Sequence, residues 1–483
     1  VNKLRDPFLF VILLISFTLG ASILTRGHEW GDDWASYVMQ AQSILNGNMD
    51  EFVERNAFTI FESSIQIGPV AYPWGYPLAL TPALLLRGVH PLALKVPGLF
   101  FFVGFLICLY RLIETRLTRT ERLILVSLFA FNPVLINSTD YIISDIPFLF
   151  SVFLTLWFME NAEAQPGKKY RVLLGAGIFL SFFFRTMGIA LLASYLAWQG
   201  WRFSSDGARR KEIFTNTAVV SGVFVLLAVI SSLIFPGGQG SYVRQLAGLT
   251  FDTVQSNLIN YFYLFVQFFD PNASAAWTYL YYLLVAFFIA GAWIRRQTDQ
   301  ILIIFFTVYF AIVIFWPEWQ GIRFIFPLIP IFIYFAFQGM LGIVEKLPAR
   351  HLSVGRGFNS GLWLLLAGLF LFHSANYAHA NLKNERQING PFEPFSMEMY
   401  EYVRENTPPD SVIVFFKPRA LRLFTHRNTI MSIECDRLLR GDYVILHKNW
   451  EYSQILPGDI QNCRLPLKLV YENRKYLVYE LQK

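Results

Sequence analysis

Apolar stretches of spanning length, or a little shorter, recur along the chain from Pro7 to Tyr377, divided by short segments rich in Lys and Arg. A bilayer core takes about 20 consecutive apolar helical residues, so this pattern predicts transmembrane helices. The first stretch, Pro7–Leu24, follows Lys3 and Arg5 and has no small-residue cleavage site after it; it is expected to persist as a helix running from inside to outside. Further spans are expected at Leu92–Leu112, Leu123–Leu135, Ile146–Met159, Val172–Phe184, Met187–Trp201, Ile213–Phe235, Trp277–Ile294, Ile301–Trp316, Phe324–Val344 and Leu362–Tyr377. The run Tyr76–Leu86 is short and holds Pro77 and Pro82, which predicts an interfacial or re-entrant helix in a long outer loop.

Positive charge sets the expected topology. With Tyr76–Leu86 peripheral, the cluster Arg111, Arg116, Arg119 and Arg122 falls inside. So do the linkers carrying Lys168 to Arg171, Arg202 to Lys211, Arg295 and Arg296, and Lys346 to Arg356, giving roughly eleven spans with the C-terminus outside.

Beyond His379 the pattern changes. Met397–Asn406 has helical spacing and stops at Thr407-Pro408-Pro409; Ser411–Phe416 and Tyr443–His447 read as strands, Arg419–Phe424 as a short helix, and Leu467–Tyr471 with Tyr476–Leu481 as a closing hairpin. The expected architecture is an all-α polytopic membrane domain over residues 1–378, its long first outer loop carrying amphipathic helices, and a small extracytoplasmic α/β domain over 379–483. Cys435 and Cys463 lie in that second domain and Cys108 in a span; outside the cell a disulfide and two free thiols both stay open.

Composition narrows the class. Apolar residues make up 54% of the chain and charged ones 15%, against about a quarter charged in soluble domains, so the net charge of +6 reads as a topology signal, and no nucleic-acid partner is expected. The chain has no P-loop, dinucleotide loop or metal-type His/Cys spacing. No cofactor is firmly implied, and the driving force is expected to arrive with the substrate.

Four polar features need explaining in so apolar a chain. Gly31-Asp32-Asp33-Trp34-Ala35 follows the first span and opens a helix whose apolar positions, Trp34, Tyr37, Val38, Ala41, Ile44 and Leu45, share one face before Asn46-Gly47 ends it. One carboxylate suffices as an N-cap, worth about 1 kcal/mol, which leaves its neighbour free to bind a proton; cap and catalyst both stay open. A second island, Asn132 to Pro147, carries Asp140 and Asp145, with Asp145 equally suited to a helix start. Arg185 and Arg323 border apolar runs at expected outer ends. A lone membrane-edge Arg commonly snorkels, but positive charge is not favoured there, and a guanidinium fork matches phosphate oxygens.

The order Gly31-Asp32-Asp33, Tyr72-Pro73-Trp74-Gly75-Tyr76-Pro77, Ser144-Asp145-Ile146-Pro147, Phe184-Arg185-Thr186 and Arg323-Phe324-Ile325-Phe326-Pro327 resembles the C-type glycosyltransferase superfamily. Within it the chain is similar to the bacterial branch related to protein O-mannosyltransferases and the lipid A aminoarabinose transferase. The resemblance implies a polyprenyl-phosphate-linked sugar donor and a lipid, glycan or protein acceptor. It also implies transfer with inversion on the extracytoplasmic face of a bacterial inner or plasma membrane.

Residue by residue, the resemblance makes Asp32 the catalytic base. Asp33 stands where a Glu is usual and, with Asp145 and Asp140, supports the site. Arg185 and Arg323 would bind the donor phosphate, and Tyr72, Trp74 and Tyr76 would form a donor or lipid groove with help from Tyr261–Phe269. A divalent metal is left open. Ala71-Tyr72-Pro73 replaces the Glu-Lys pair of the aminoarabinose transferases, which argues against that particular transfer. Two other readings share these features: a lipid or sugar transporter without bond chemistry, and a ligase moving a whole polyprenyl-linked glycan. Acceptor choice is expected to reside around Gly237–Ser274 and in the C-terminal domain.

Overall fold

The computed structural model describes residues 6–65, 67–164, 167–237, 249–346 and 348–482. Part of the loop expected to choose the acceptor, 238–248, lies outside the described residues.

Every expected span overlaps a helix. They are α1 (Pro7–Ile23), α5 (Pro91–Leu112), α6 (Arg119–Ala130), α8 (Asp145–Ala164), α9 (Lys168–Phe184), α10 (Ile189–Ser205), α11 (Arg210–Ile234), α13 (Ala275–Arg295), α14 (Gln300–Ile314), α15 (Ile329–Val344) and α16 (Ala349–Asn384). Among the described residues, Pro91–Leu112, Gly207–Ile234, Ala275–Arg295 and Ala349–Asn384 are long and apolar enough to cross a membrane unaided, while Pro7–Ile23, Gln300–Ile314 and Ile329–Val344 are shorter apolar helices.

Local chemistry moves several boundaries. The expected span Leu123–Leu135 is broken: α6 starts from a capping box of Thr118 and Glu121 and ends by Ala130, and Asn132 then caps a separate short α7 (Pro133–Ser138). The expected start at Phe324 is a single 3-10 turn, and α15 begins beyond Pro327, because proline opens a helix more readily than it continues one. Helix α16 runs on to Asn384, past residue 378 where the membrane domain was expected to end.

Tight helix crossings occur where side chains vanish. A Cβ on Gly291 of α13 would overlap the Phe335 carbonyl, and one on Gly339 of α15 would overlap that of Phe287; the two backbones touch through these glycines, as small residues permit between membrane helices.

Charge segregates along the bundle. Arg116 pairs with Glu160 and with Asp299 at 2.8 Å, Arg295 reaches Asp299 at 2.8 Å, and Arg202 pairs with Glu163. Linkers assigned to the inside therefore meet at one end.

At the other end the outer loop folds into α2 (Asp33–Asn46), closed by Gly47 in a left-handed turn, α3 (Met49–Glu62) and α4 (Gly75–Arg87), which packs on α2. There Lys95 of α5, with no exposed side-chain surface, donates to Asp140 at 2.7 Å and to the Thr25 and Gly27 carbonyls at 2.9 and 2.7 Å. Asp140 also accepts from the Thr25 amide at 2.7 Å and from Arg386 at 2.5 Å, stapling the end of α1, α5 and the strand of chain after α16.

The C-terminal domain has the expected α/β character. After α12 (Phe251–Leu264) and the spans already given come α17 (Pro394–Asn406), β1 (Val412–Val414), α18 (Pro418–Thr425), β2 (Asn428–Ile430), a turn of helix at Cys435–Leu438, β3 (Tyr443–His447), β4 (Leu467–Glu472) and β5 (Tyr476–Leu481). The sheet order is β2-β1-β3-β5-β4, parallel across β2, β1 and β3 and antiparallel beyond. Strand β2 was not foreseen, being three residues with no alternation to betray it. Cys435 and Cys463 form a disulfide, which resolves the alternative left open.

Candidate active site

A cavity of about 230 Å³ opens between the outer loop and the ends of α9 and α14, lined among others by Asp33, Tyr37, Tyr72, Arg185, Glu318 and Arg323. Asp33 Oδ1 accepts a 2.6 Å hydrogen bond from the Tyr72 hydroxyl, and Oδ2 lies 3.6 Å from the Arg323 guanidinium. A third of the Asp33 side chain remains exposed to the cavity, 34%. Tyr72 is held in turn by Tyr37, ring centroids 4.7 Å apart, and by Gln40, which bonds both the amide and the carbonyl of Tyr72. Arg185 follows directly on α9 and pairs with Asp145 at the first turn of α8. Arg323 sits in the turn after Gly321 (φ +66°), its guanidinium donating to Gln320 at 2.9 Å.

Asp32, one residue earlier, faces the other way. It is 7% exposed, does not line the cavity and caps nothing in its own helix. Its carboxylate accepts the Arg419 amide at 3.2 Å, so it caps α18 of the soluble domain, with the Arg419 guanidinium 3.7 Å away. Environment separates the neighbours. Burial pushes the Asp32 carboxyl above its ordinary range, beyond what Arg419 and Lys417 offset, and the adjacent Asp33 adds to the rise. At Asp33 burial works in the same upward sense, but Arg323, the Tyr72 hydroxyl, Arg419 and Arg185 outweigh it and hold the carboxyl below its ordinary range.

The remaining expected site residues divide. Asp145 does not line the cavity but fixes Arg185, which does. Asp140 belongs to the Lys95 staple instead. Tyr72 and Trp74 line a second, apolar recess of about 350 Å³, walled by Phe179, Phe182, Phe183 and Phe235 and sharing Tyr72, Pro73 and Thr186 with the lining of the first. Trp74 stacks on Phe235 at 5.5 Å and donates to the Pro236 carbonyl at 3.0 Å. Tyr76 lines neither space; it is buried at 1% beneath Tyr37. Tyr261 of the expected aromatic segment packs instead on Trp319 at 4.6 Å and bonds the Gln320 amide, bracing the loop that holds Arg323.

Sequence reasoning missed Glu318 and Gln320, although Trp316-Pro317-Glu318-Trp319-Gln320 is a polar island between apolar runs, the same signal that exposed Asp145. It also missed Arg419, for which the sequence carries no signal. Among the described residues no group of three or more His, Cys, Asp or Glu side chains is placed to hold a metal ion. The arrangement can accept a proton at Asp33, hold an anion between two guanidinium groups and seat an apolar tail beside them.

This architecture is the C-type glycosyltransferase fold, a bundle of membrane helices with a soluble C-terminal domain. Two solved structures illustrate it. ArnT from Cupriavidus metallidurans, a lipid A aminoarabinose transferase bound to undecaprenyl phosphate, superposes with a TM-score of 0.59 at 10% identity, over 98% of this chain and 98% of its own. The oligosaccharyltransferase of Archaeoglobus fulgidus, tethered to an acceptor peptide containing the NVT sequon, gives 0.59 at 14% identity over 100% of this chain and 75% of its own. In another structure that archaeal enzyme is in complex with an inhibitory peptide and a dolichol-phosphate. No protein-family model matches the sequence, and no curated protein does.

Proposed function

We propose that this protein is an integral membrane glycosyltransferase that takes a sugar from a polyprenyl-phosphate donor and passes it to an acceptor hydroxyl at the extracytoplasmic face. The carrying observation is the adjacency of two unlike spaces: a polar cavity lined by two carboxylates, Asp33 and Glu318, and two arginines, beside an aromatic recess that shares its wall. An anionic headgroup on a long apolar chain has that composition. The structural neighbours found with undecaprenyl phosphate and with dolichol-phosphate support the same substrate class.

In the reaction, an acceptor O–H gives its proton to the Asp33 carboxylate as its oxygen bonds the anomeric carbon, and the bond from that carbon to the phosphate oxygen breaks. The bonding pair stays on the phosphate, whose charge Arg185 and Arg323 offset. Direct displacement inverts the anomeric centre. The base is thus Asp33, not the Asp32 that the family pattern favours, because Asp33 borders the cavity in an ionised state while Asp32 caps a helix. Asp145 acts through Arg185, and Tyr72 orients Asp33.

The test is purified full-length protein with undecaprenyl-phosphate monosaccharides. Sugar release or transfer that disappears in Asp33→Asn supports the reading. Donor that crosses vesicle membranes with its glycosidic bond intact makes the protein a transporter.

A further inference from the structure

Arg419 belongs to the soluble domain, 387 residues from Asp32 in sequence, yet none of its side chain reaches solvent. Its guanidinium sits under the floor of the cavity. One terminal nitrogen donates to the Pro69 carbonyl at 2.6 Å, Nε donates to Asn56 at 3.3 Å, and the other terminal nitrogen lies 3.5 Å from the Tyr72 hydroxyl. The guanidinium also lies over the Tyr72 ring, 5.5 Å from its centroid. Pro69 and Gly68 line the cavity, and Gly68 (φ +93°) approaches so closely that a Cβ would come within 3.0 Å of the Tyr72 hydroxyl. Arg422, one turn on, anchors the same helix by donating to Asn56 at 2.8 Å and to Thr59 at 3.0 Å.

A fully buried cation is costly unless paired and hydrogen-bonded. For docking alone, an apolar residue of similar volume would serve as well or better. What an apolar residue could not do is fix the Tyr72 hydroxyl and place positive charge beside two adjacent carboxylates.

We propose that Arg419 is a positioning residue of the active site: through Tyr72 and the Gly68-Pro69 loop it aims and keeps ionised the Asp33 carboxylate, so that the cavity is complete only with the soluble domain docked. This rests on the assignment of Asp33 as base. Asp33 is faced by Asp32, Tyr37 and Tyr72 of the outer loop, by Arg185, by Glu318 and Arg323, and by Arg419 from the soluble domain. Loss of Arg419 removes one of three cations from that set.

The readout is the pH dependence of carbodiimide labelling at Asp33 in full-length protein, mapped by mass spectrometry, because the reagent takes protonated carboxyls. In Arg419→Met the labelling midpoint of Asp33 is expected to rise by about one pH unit, and in Arg419→Lys to stay near wild type. Donor cleavage should show the same displacement of its acid limb, with undecaprenyl phosphate binding retained. An unchanged midpoint in folded Arg419→Met overturns the proposal. Should that variant not fold, Arg419→Gln carries the test, since it keeps hydrogen-bonding capacity without the charge: a raised midpoint supports the proposal and an unmoved one overturns it. A midpoint that moves in a protein that cleaves no donor leaves the positioning intact and refutes the glycosyltransferase reading.

Discussion

Asp33→Asn exchanges a carboxylate oxygen for an amide nitrogen at nearly constant shape, so it removes the proton acceptor from the cavity while leaving volume and packing alone. A positioned general base contributes about 10² to 10⁴ in rate, or roughly 3 to 5 kcal/mol of barrier. The loss should fall on kcat, because the phosphate-facing arginines remain. The matched substitution Asp32→Asn should behave differently. Its amide oxygen can still accept from the Arg419 amide, and because burial at Asp32 outweighs Arg419 and Lys417, removal of the charge should change stability by no more than about 1 kcal/mol.

The pH sign follows from the opposite shifts. Asp33 is held below its ordinary range, so it is ionised throughout the neutral range and the acid limb of transfer should lie below pH 3.8, its unperturbed value. A carboxyl depressed in the fold adds stability that is present above its unfolded pKa and lost as pH falls through the folded one. The assay is steady-state transfer from undecaprenyl-phosphate monosaccharide for both variants, with thermal unfolding in the same detergent. Abolished transfer in a fully stable Asp32→Asn, with Asp33→Asn still active, would refute the reasoning.

Arg323→Gln removes one of the two cations facing the expected phosphate and should weaken undecaprenyl phosphate binding roughly ten- to hundredfold, read by titration in detergent. Lys95→Met leaves Asp140 with Arg386 as its one charge partner among the described residues and should cost about 3 kcal/mol or more, seen as a lowered unfolding temperature with cavity residues untouched. Cys435→Ser opens the loop of 28 residues closed by the disulfide and should destabilise the soluble domain by about 3 kcal/mol, with wild type matching the variant once reduced.

Legibility from sequence tracked the range of the interactions. Span positions were readable because twenty apolar residues in a row admit one answer in lipid, and the hairpin β4–β5 because its partners are neighbours. The break at Asn132-Pro133 was also local, yet apolar residues on both sides masked it. Trp74 lines the recess, whereas Tyr76, two residues on, is turned into the core by the helix it starts.

The sequence by itself determined a polytopic membrane chain, a soluble α/β tail and two adjacent acids able to divide capping from catalysis, since these follow from periodicity, charge and residue chemistry. Only the tertiary structure separates their surroundings. Asp32 caps a helix, but that helix is α18 of the C-terminal domain. Asp33 is left to the cavity because Tyr72 and Arg323 converge on it. No local pattern encodes an N-cap supplied from 387 residues away, because its partners become neighbours only through packing of the two domains.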